Sequence, residues 1–368
     1  MLKIAILGAS GFVGNRTVEM LSTLEGVAEV RPIVRDSSSL ARLSRLDLDY
    51  RVANALHQSA LAHAFAGCDI VVDSVLSTPA VIRSAVTPTY RAAQQAGVSR
   101  IVYLSSASVH GQAPSPGTDE RSPLSKHQPF PYNSAKIQAE QRLLKLCSKG
   151  SLEVVILRPG IVFGPRSRRI SEIADELLAG AAYLVNGGQG ICNSIYVDNL
   201  VHAIRLAITA PDANREAFLI GDREQVTWAN FYRPLAEAFG IDFTQIPDVA
   251  CPEFTRSWKE RWVQPVYDSE PVQKVLTLFS GELKQAVKRA VFRQRQASPT
   301  LPQVLPTPSK REPVVTQEMA LLHQCQYKFP YDKAEKILGY QPIVSFAEGC
   351  DRSIDWLAST GYPVVLNK

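Results

Sequence analysis

The stretch Gly8-Ala9-Ser10-Gly11-Phe12-Val13-Gly14, directly after the β-patterned run from Lys3 to Leu7, constrains this chain more than any other part of it. A strand that turns through spaced glycines into a helix lets backbone approach a bound pyrophosphate, and the helix start offers free N–H groups at its positive end. The glycines alone could make a simple turn; the strand before them and the helical spacing after them make a dinucleotide the expected ligand. The rest of the first half repeats the same alternation. Short β-branched runs at 30–34, 69–73, 100–104 and 153–157 are separated by helical spacing such as 13–24 and 85–96, and Ala96-Gly97-Val98 reads as a helix C-cap. This predicts an α/β fold with a doubly wound parallel sheet.

The expected architecture is a Rossmann domain over 1–165 with returns near 191–221. A smaller C-terminal substrate-binding domain would come from 166–190 and 222–368, including a proline-rich linker about 298–313. From about Pro165 the pattern loosens. At 368 residues, 45% hydrophobic and 20% charged, the chain can bury a core large enough for this. No apolar run approaches the roughly 20 residues that span a bilayer, and the N-terminus starts on a strand pattern, so a cytoplasmic location is expected. The six cysteines lack C-x-x-C or Cys/His spacing, which points to buried thiols, with neither a disulfide framework nor a metal site. A net charge of +5 does not call for nucleic acid and suits an anionic cofactor or small-molecule substrate.

Two further segments carry chemistry. The second strand ends Val34-Arg35-Asp36, where an acidic side chain would meet the ribose 2′-hydroxyl of NAD and an arginine would accommodate the 2′-phosphate of NADP. Arg35 favours NADP, with NAD as the alternative if Asp36 takes the ribose. The run 100–104 leads into Ser105-Ser106-Ala107-Ser108, and Tyr132-Asn133-Ser134-Ala135-Lys136 opens a helical pattern. On a helix, Tyr132 and Lys136 share a face one turn apart. An ammonium group and an oxidised nicotinamide nearby would favour the phenolate of Tyr132, which could then move a proton while Ser106 hydrogen-bonds the substrate oxygen. The hydride itself needs the cofactor.

With the glycine turn, the serine strand and Tyr-x-x-x-Lys in this order, the sequence resembles the extended short-chain dehydrogenase/reductase family, which contains NAD-dependent epimerases and dehydratases. Further matches are the segment 158–165 (RPGIVFGP), the segment 196–200 (YVDNL) and the segment 334–342 (AEKILGYQP). The resemblance implies Ser106, Tyr132 and Lys136 as the catalytic triad, with Lys136 also holding the nicotinamide ribose. The glycine turn, through Gly8, Ser10, Gly11, Phe12, Val13 and Gly14, and Arg35 are expected around the cofactor, and the resemblance implies Pro159 and Gly160 at its nicotinamide end. Asn54 stands where relatives often carry an aspartate near the adenine. A homodimer is the expected assembly.

Departures from the family pattern narrow the function. Sugar-nucleotide dehydratases of the family carry an Asp-Glu pair just after the catalytic hydroxyl residue, and this chain has Ala107-Ser108, so elimination of water lacks its acid and base. Nucleotide-sugar epimerases often place a basic residue shortly before their version of Tyr196-Val197-Asp198, and the segment 190–195 has none. Arg166, Arg168 and Arg169 could supply that charge, or form a solvated basic loop. Ser108, Arg166, Arg168 and Asn193 are the candidate substrate contacts. The leading expectation is an NAD(P)-dependent oxidoreductase acting at a secondary alcohol or ketone, as a sugar or nucleotide-sugar epimerase or ketoreductase. One alternative is a ketone reductase or hydroxysteroid-dehydrogenase-like enzyme on a lipid-like or polycyclic substrate. A non-catalytic NADP-sensing protein is the other. Between 275 and 295, apolar residues share one helical face and basic residues cluster elsewhere; packing on the substrate domain is the simpler reading, with peripheral membrane contact as the other. Trp258 and Trp262 read as core.

Overall fold

The computed structural model describes residues 1–23, 28–125, 128–251 and 312–365. The expectations for Trp258, Trp262, the amphipathic stretch 275–295 and the prolines at 299–308 lie outside the described residues. Seven strands form one parallel sheet: β1 (Leu2–Leu7), β2 (Ala28–Val34), β3 (Arg51–Val52), β4 (Ile70–Asp73), β5 (Arg100–Leu104), β6 (Glu153–Pro159) and β9 (Ala217–Ile220), in spatial order β3-β2-β1-β4-β5-β6-β9. The short strands β7 (Ile161–Phe163) and β8 (Ser194–Tyr196) pair with each other outside it. The chain is therefore Rossmann-like, a doubly wound α/β fold, and its order reverses between β1 and β4, where the carboxyl ends of the strands open a crevice.

The strands read as unbroken apolar runs because both faces of the sheet are covered. Along β1, Ile4 and Ile6 face one layer, packed with Val18 and Leu21 of α1 (Phe12–Ser22) and Leu200 and Ile204 of α6 (Val197–Thr209). Ala5 and Leu7 face the other. Their neighbours are Phe65 of α2 (Gln58–Phe65), Val86 of α3 (Pro79–Gln95) and Leu143 of α4 (Pro131–Cys147). Helix α3 ends as its sequence indicates: Ala96 caps it and Gly97 takes φ +75°, a left-handed conformation that costs glycine little.

Beyond Pro165 the chain is more regular than its pattern suggests. Helices α5 (Arg168–Leu178), α6 and α7 (Trp228–Ala238) follow, and α5 buries Ile170, Ile173, Ala174 and Leu177 at helical spacing. Turns rich in glycine at 180, 187, 188 and 190 separate these helices and break up the periodicity. After them come α8 (Gln317–His323), α9 (Asp332–Leu338) and α10 (Phe346–Ser359). A separate apolar cluster gathers α5, α7, α10 and the β7–β8 pair around Phe163, Trp228, Phe231 and Leu357. Among the described residues, no helix is long and apolar enough to cross a membrane.

Candidate active site

The glycine turn sits at the carboxyl end of β1, against its neighbours. The amides of Gly8 and Ala9 donate to the Ile33 carbonyl, and Gly11 donates to Gly8. Gly8 adopts φ +86°, and a Cβ on Gly14 would lie 2.3 Å from the Gly8 carbonyl oxygen, so only glycine lets helix and turn approach this closely. Gly11, at the N-cap of α1, has no side chain to bond the first amides, which suit an anion. These donors and this close approach fit a dinucleotide pyrophosphate.

At the end of β2, Arg35 is largely exposed and its Nε donates to Asp36. Asp36 is occupied as the N-cap of the short turn 37–42: its Oδ1 accepts from the hydroxyls of Ser38 and Ser39 and the amide of Ser39. Those bonds, Ser38 first, hold its carboxyl well below the usual range. Arg42, at the end of the same turn, donates to the Ser10 carbonyl at 3.2 Å and thereby joins the glycine turn, a neighbour that no local sequence pattern singles out. The Asn54 side chain accepts from the Leu56 amide, which shapes its own loop.

The groups expected to carry the chemistry come from the turn after β5 and from α4. Pro131 at the first turn of α4 suits a helix start, since proline lacks only an N–H that would go unbonded there. Tyr132 and Lys136 follow one turn apart. Ser106 caps a short turn after β5, its Oγ accepting from the Ser108 amide and lying 2.9 Å from the Ser108 hydroxyl. Burial pushes the Tyr132 phenol up to about 12; a hydrogen bond with Ser106 opposes this, and the charge of Glu318 adds to it. Lys136 is buried, with Nζ donating to the Leu104 carbonyl at 2.6 Å and lying 3.4 Å from the Tyr103 hydroxyl. Burial pulls its ammonium down to about 8, while Asp73 and Glu140 pull it back up. Asp73 and Tyr103 are register partners on β4 and β5, so both stand under Lys136; neither was signalled by a motif.

A buried ion pair fixes α4 to the sheet. Arg158 of β6 donates through Nε and Nη2 to Glu140 of α4, at 3.1 and 2.6 Å, and Ser105 also donates to Glu140. Removing one partner of such a pair would strand a buried charge.

A cleft of about 660 Å³ lies over these residues, lined by Ser106, Ser108, Tyr132, Pro159 and Gly160. Its other walls are one face of α5, with Arg168, Arg169, Glu172 and Glu176, and the segment 316–329 with α8. Arg168 is mostly exposed at the edge and pairs with Glu172 at 2.6 Å. Asn193 touches the cleft but spends its amide elsewhere: it donates to the Tyr327 carbonyl at 3.0 Å and accepts from the Phe329 amide at 2.8 Å. A Cβ on Gly160 would lie 2.1 Å from the Asn193 carbonyl oxygen, which explains the glycine there. Arg166 is not brought to this cleft. At φ +70° it donates to Asn15 and Glu19 of α1, beside a second hollow near Gly11. The cleft also contains Gln112 and Glu318, which carry no sequence signature.

Residues 4–221 match the family described as NAD dependent epimerase/dehydratase family. The chain belongs to this family. It is accordingly an NAD(P)-dependent enzyme of the oxidoreductase and epimerase kind, acting on small molecules. One similar protein is a UDP-glucose 4-epimerase of Vibrio cholerae, 29% identical over 66% of this chain and 78% of its own length. Another is a 3-beta-hydroxysteroid dehydrogenase of Mycolicibacterium neoaurum, 29% identical over 65% of this chain and 70% of its own. Among solved structures, a UDP-glucose 4-epimerase of Thermotoga maritima superposes with a TM-score of 0.67 at 19% identity, covering 98% of this chain and 99% of that one, a likeness of fold.

Proposed function

We propose that this protein interconverts a secondary alcohol and a ketone on a sugar or nucleotide sugar, as a ketoreductase or as one half of an epimerisation. Tyr132 is its acid/base, and residues 166–190 with the C-terminal part form its substrate side. The observation that carries the reading is the common cleft: Tyr132 and Ser106 face one space, with Lys136 buried behind them and anchored on Leu104. The cofactor, when bound, supplies the hydride acceptor or donor that no side chain can provide. Ser106 orients the substrate oxygen, and Tyr132 gives or takes its proton. Because burial keeps the phenol protonated, donation to a forming alkoxide is the readier direction without further positive charge. Lys136, held close, supplies positive charge behind the tyrosine and a donor for the nicotinamide ribose. Ala107 and Ser108 leave dehydration without a carboxylate pair, and the joint presence of Tyr132 and Lys136 argues against a non-catalytic sensor.

NADP is the preferred cofactor in this reading. Asp36 is tied up by Ser38 and Ser39, whereas Arg35 before the turn 37–42 and Arg42 at its end are partners for a 2′-phosphate. Arg35→Ala and Arg42→Ala should each reduce the ratio of NADP to NAD affinity roughly tenfold, the order of one charge-assisted hydrogen bond, as measured by titration. An unchanged ratio in both would overturn the preference. The expected assembly is a cytoplasmic homodimer, which sedimentation of the full chain tests.

A hydroxysteroid-type or other lipid-like ketone is the second reading, favoured by Leu76, Ile191, Met319, Leu322 and Phe329 in the cleft wall and by the likeness to the steroid dehydrogenase. The central experiment is a screen of keto-sugars and keto-steroids with NADPH, repeated with Tyr132→Phe. Loss of the tyrosine should slow turnover by about 10²- to 10⁴-fold. Retention of most of the activity would remove Tyr132 from its role.

A further inference from the structure

The cleft wall formed by α8 contains a carboxylate whose position is built from three separate parts of the chain. Glu318 lines the same space as Tyr132 and Ser106. Its Oε1 accepts from Nε2 of Gln112 at 3.3 Å, and Oε1 of Gln112 accepts from Nδ2 of Asn133 at 2.9 Å. Gln112 is buried and Asn133 fully so, in α4 and next in sequence to Tyr132. A polar chain thus runs from the helix that bears the tyrosine to the carboxylate, setting its distance from the reacting centre. Glu318 is close enough that its negative charge adds to the effect of burial on the Tyr132 phenol. Gln112 engages one carboxylate oxygen, and Oε2 is an acceptor for another donor.

We propose that Glu318 is a specificity-determining residue that accepts a hydrogen bond from a substrate hydroxyl close to the reacting carbon, so that polyhydroxylated ketones are preferred over bare ring ketones. The inference rests on the alcohol/ketone reading above and narrows its substrate class. Glu318 is exposed in the open cleft, and once a bound substrate displaces its water the carboxylate must be met by a donor. A hydroxyl beside the carbonyl meets it; a methylene leaves it unsatisfied, which is how a site built for a hydroxyl rejects an analogue lacking one. The apolar residues of the cleft can pack on the ring face of either kind of substrate, so the carboxylate is the discriminating element.

The test compares NADPH oxidation by the full chain on three ketones: a keto-sugar, its deoxy analogue lacking the hydroxyl next to the carbonyl, and a 3-ketosteroid. Wild type should favour the keto-sugar over the deoxy analogue by about 10- to 100-fold in kcat/KM, the range for a hydrogen bond to a charged group. Glu318→Ala should erase most of that preference, mainly through KM, and Glu318→Gln should retain part of it, since its amide carbonyl still accepts. Gln112→Ala, which frees the carboxylate without removing it, should lose less. Glu318→Gln should also move the titration of Tyr132 to lower pH, a shift that a merely structural residue would not cause. A preference unchanged in Glu318→Ala, or wild-type turnover of the steroid alone, would overturn the inference while leaving hydride transfer standing. If wild type turned over none of the three ketones, the reading beneath it would fall as well.

Discussion

Around the glycine turn, contacts join backbone to backbone: Gly8 and Ala9 to Ile33, Gly11 to Gly8, and the Ser74 amide to the Leu7 carbonyl. Across the cleft the structure is held by side chains from distant positions, as Gln112 to Glu318, 206 positions apart, and Asn193 to Tyr327 and Phe329. The side we propose for the cofactor is thus set by sterics that tolerate almost no added atom. The proposed substrate side is set by individual polar ties that can be exchanged one at a time.

If that contrast is sound, the largest effect should come from one added carbon on the cofactor side. Gly14→Ala sets a Cβ against the Gly8 carbonyl and should cost upwards of about 3 kcal/mol, with loss of cofactor binding. Urea unfolding and cofactor titration check this, and near-native values for both would break the comparison.

A second effect belongs to the substrate side and depends on pH. His323 of α8 is buried, stacked on Trp228 with ring centroids 4.6 Å apart, and its Nδ1 accepts from the Val185 amide while Nε2 has no partner among the described residues. Burial pulls its pKa down to about 4, below the 6.5 of the unfolded chain. The stability tied to neutral His323 is therefore complete above about pH 6.5 and is lost as pH falls toward 4, on the order of 3 kcal/mol in all. His323→Phe should flatten that slope in urea midpoints between pH 7 and 4.5. His110, likewise pulled down to about 4 by burial, leaves a residual slope. An identical slope in the variant would show that His323 is not the titrating group.

The smallest effect should sharpen the contrast. Asn193→Ala removes two bonds to the segment 327–329 and should cost about 1–2 kcal/mol, raising KM more than it lowers kcat. Equal losses in kcat and kcat/KM would instead put Asn193 in the transition state.

Much of the fold is legible in the chain because its signals are local. The strand at 100–104 is found where its apolar run predicts it, and Tyr132 and Lys136 fall one turn apart because helix geometry alone dictates it. Arg42 was hidden for the opposite reason: its partner Ser10 lies 32 positions away, across β2. Arg166 belongs to a basic run, yet its left-handed backbone turns it toward α1 while Arg168 and Arg169 line the cleft. Side-chain direction of that kind is set by tertiary packing.

The sequence by itself determined the alternation of strands and helices, the need for glycine at the turn and the spacing of tyrosine and lysine, since each follows from backbone sterics and helical or pleated periodicity over a few residues. Only the tertiary structure decided which distant groups face the same space: Asp73 and Tyr103 beneath Lys136, and Glu318 across from Tyr132. Those encounters depend on how layers pack and loops close, and a buried or shared polar group acquires its chemistry from neighbours that the local sequence does not name.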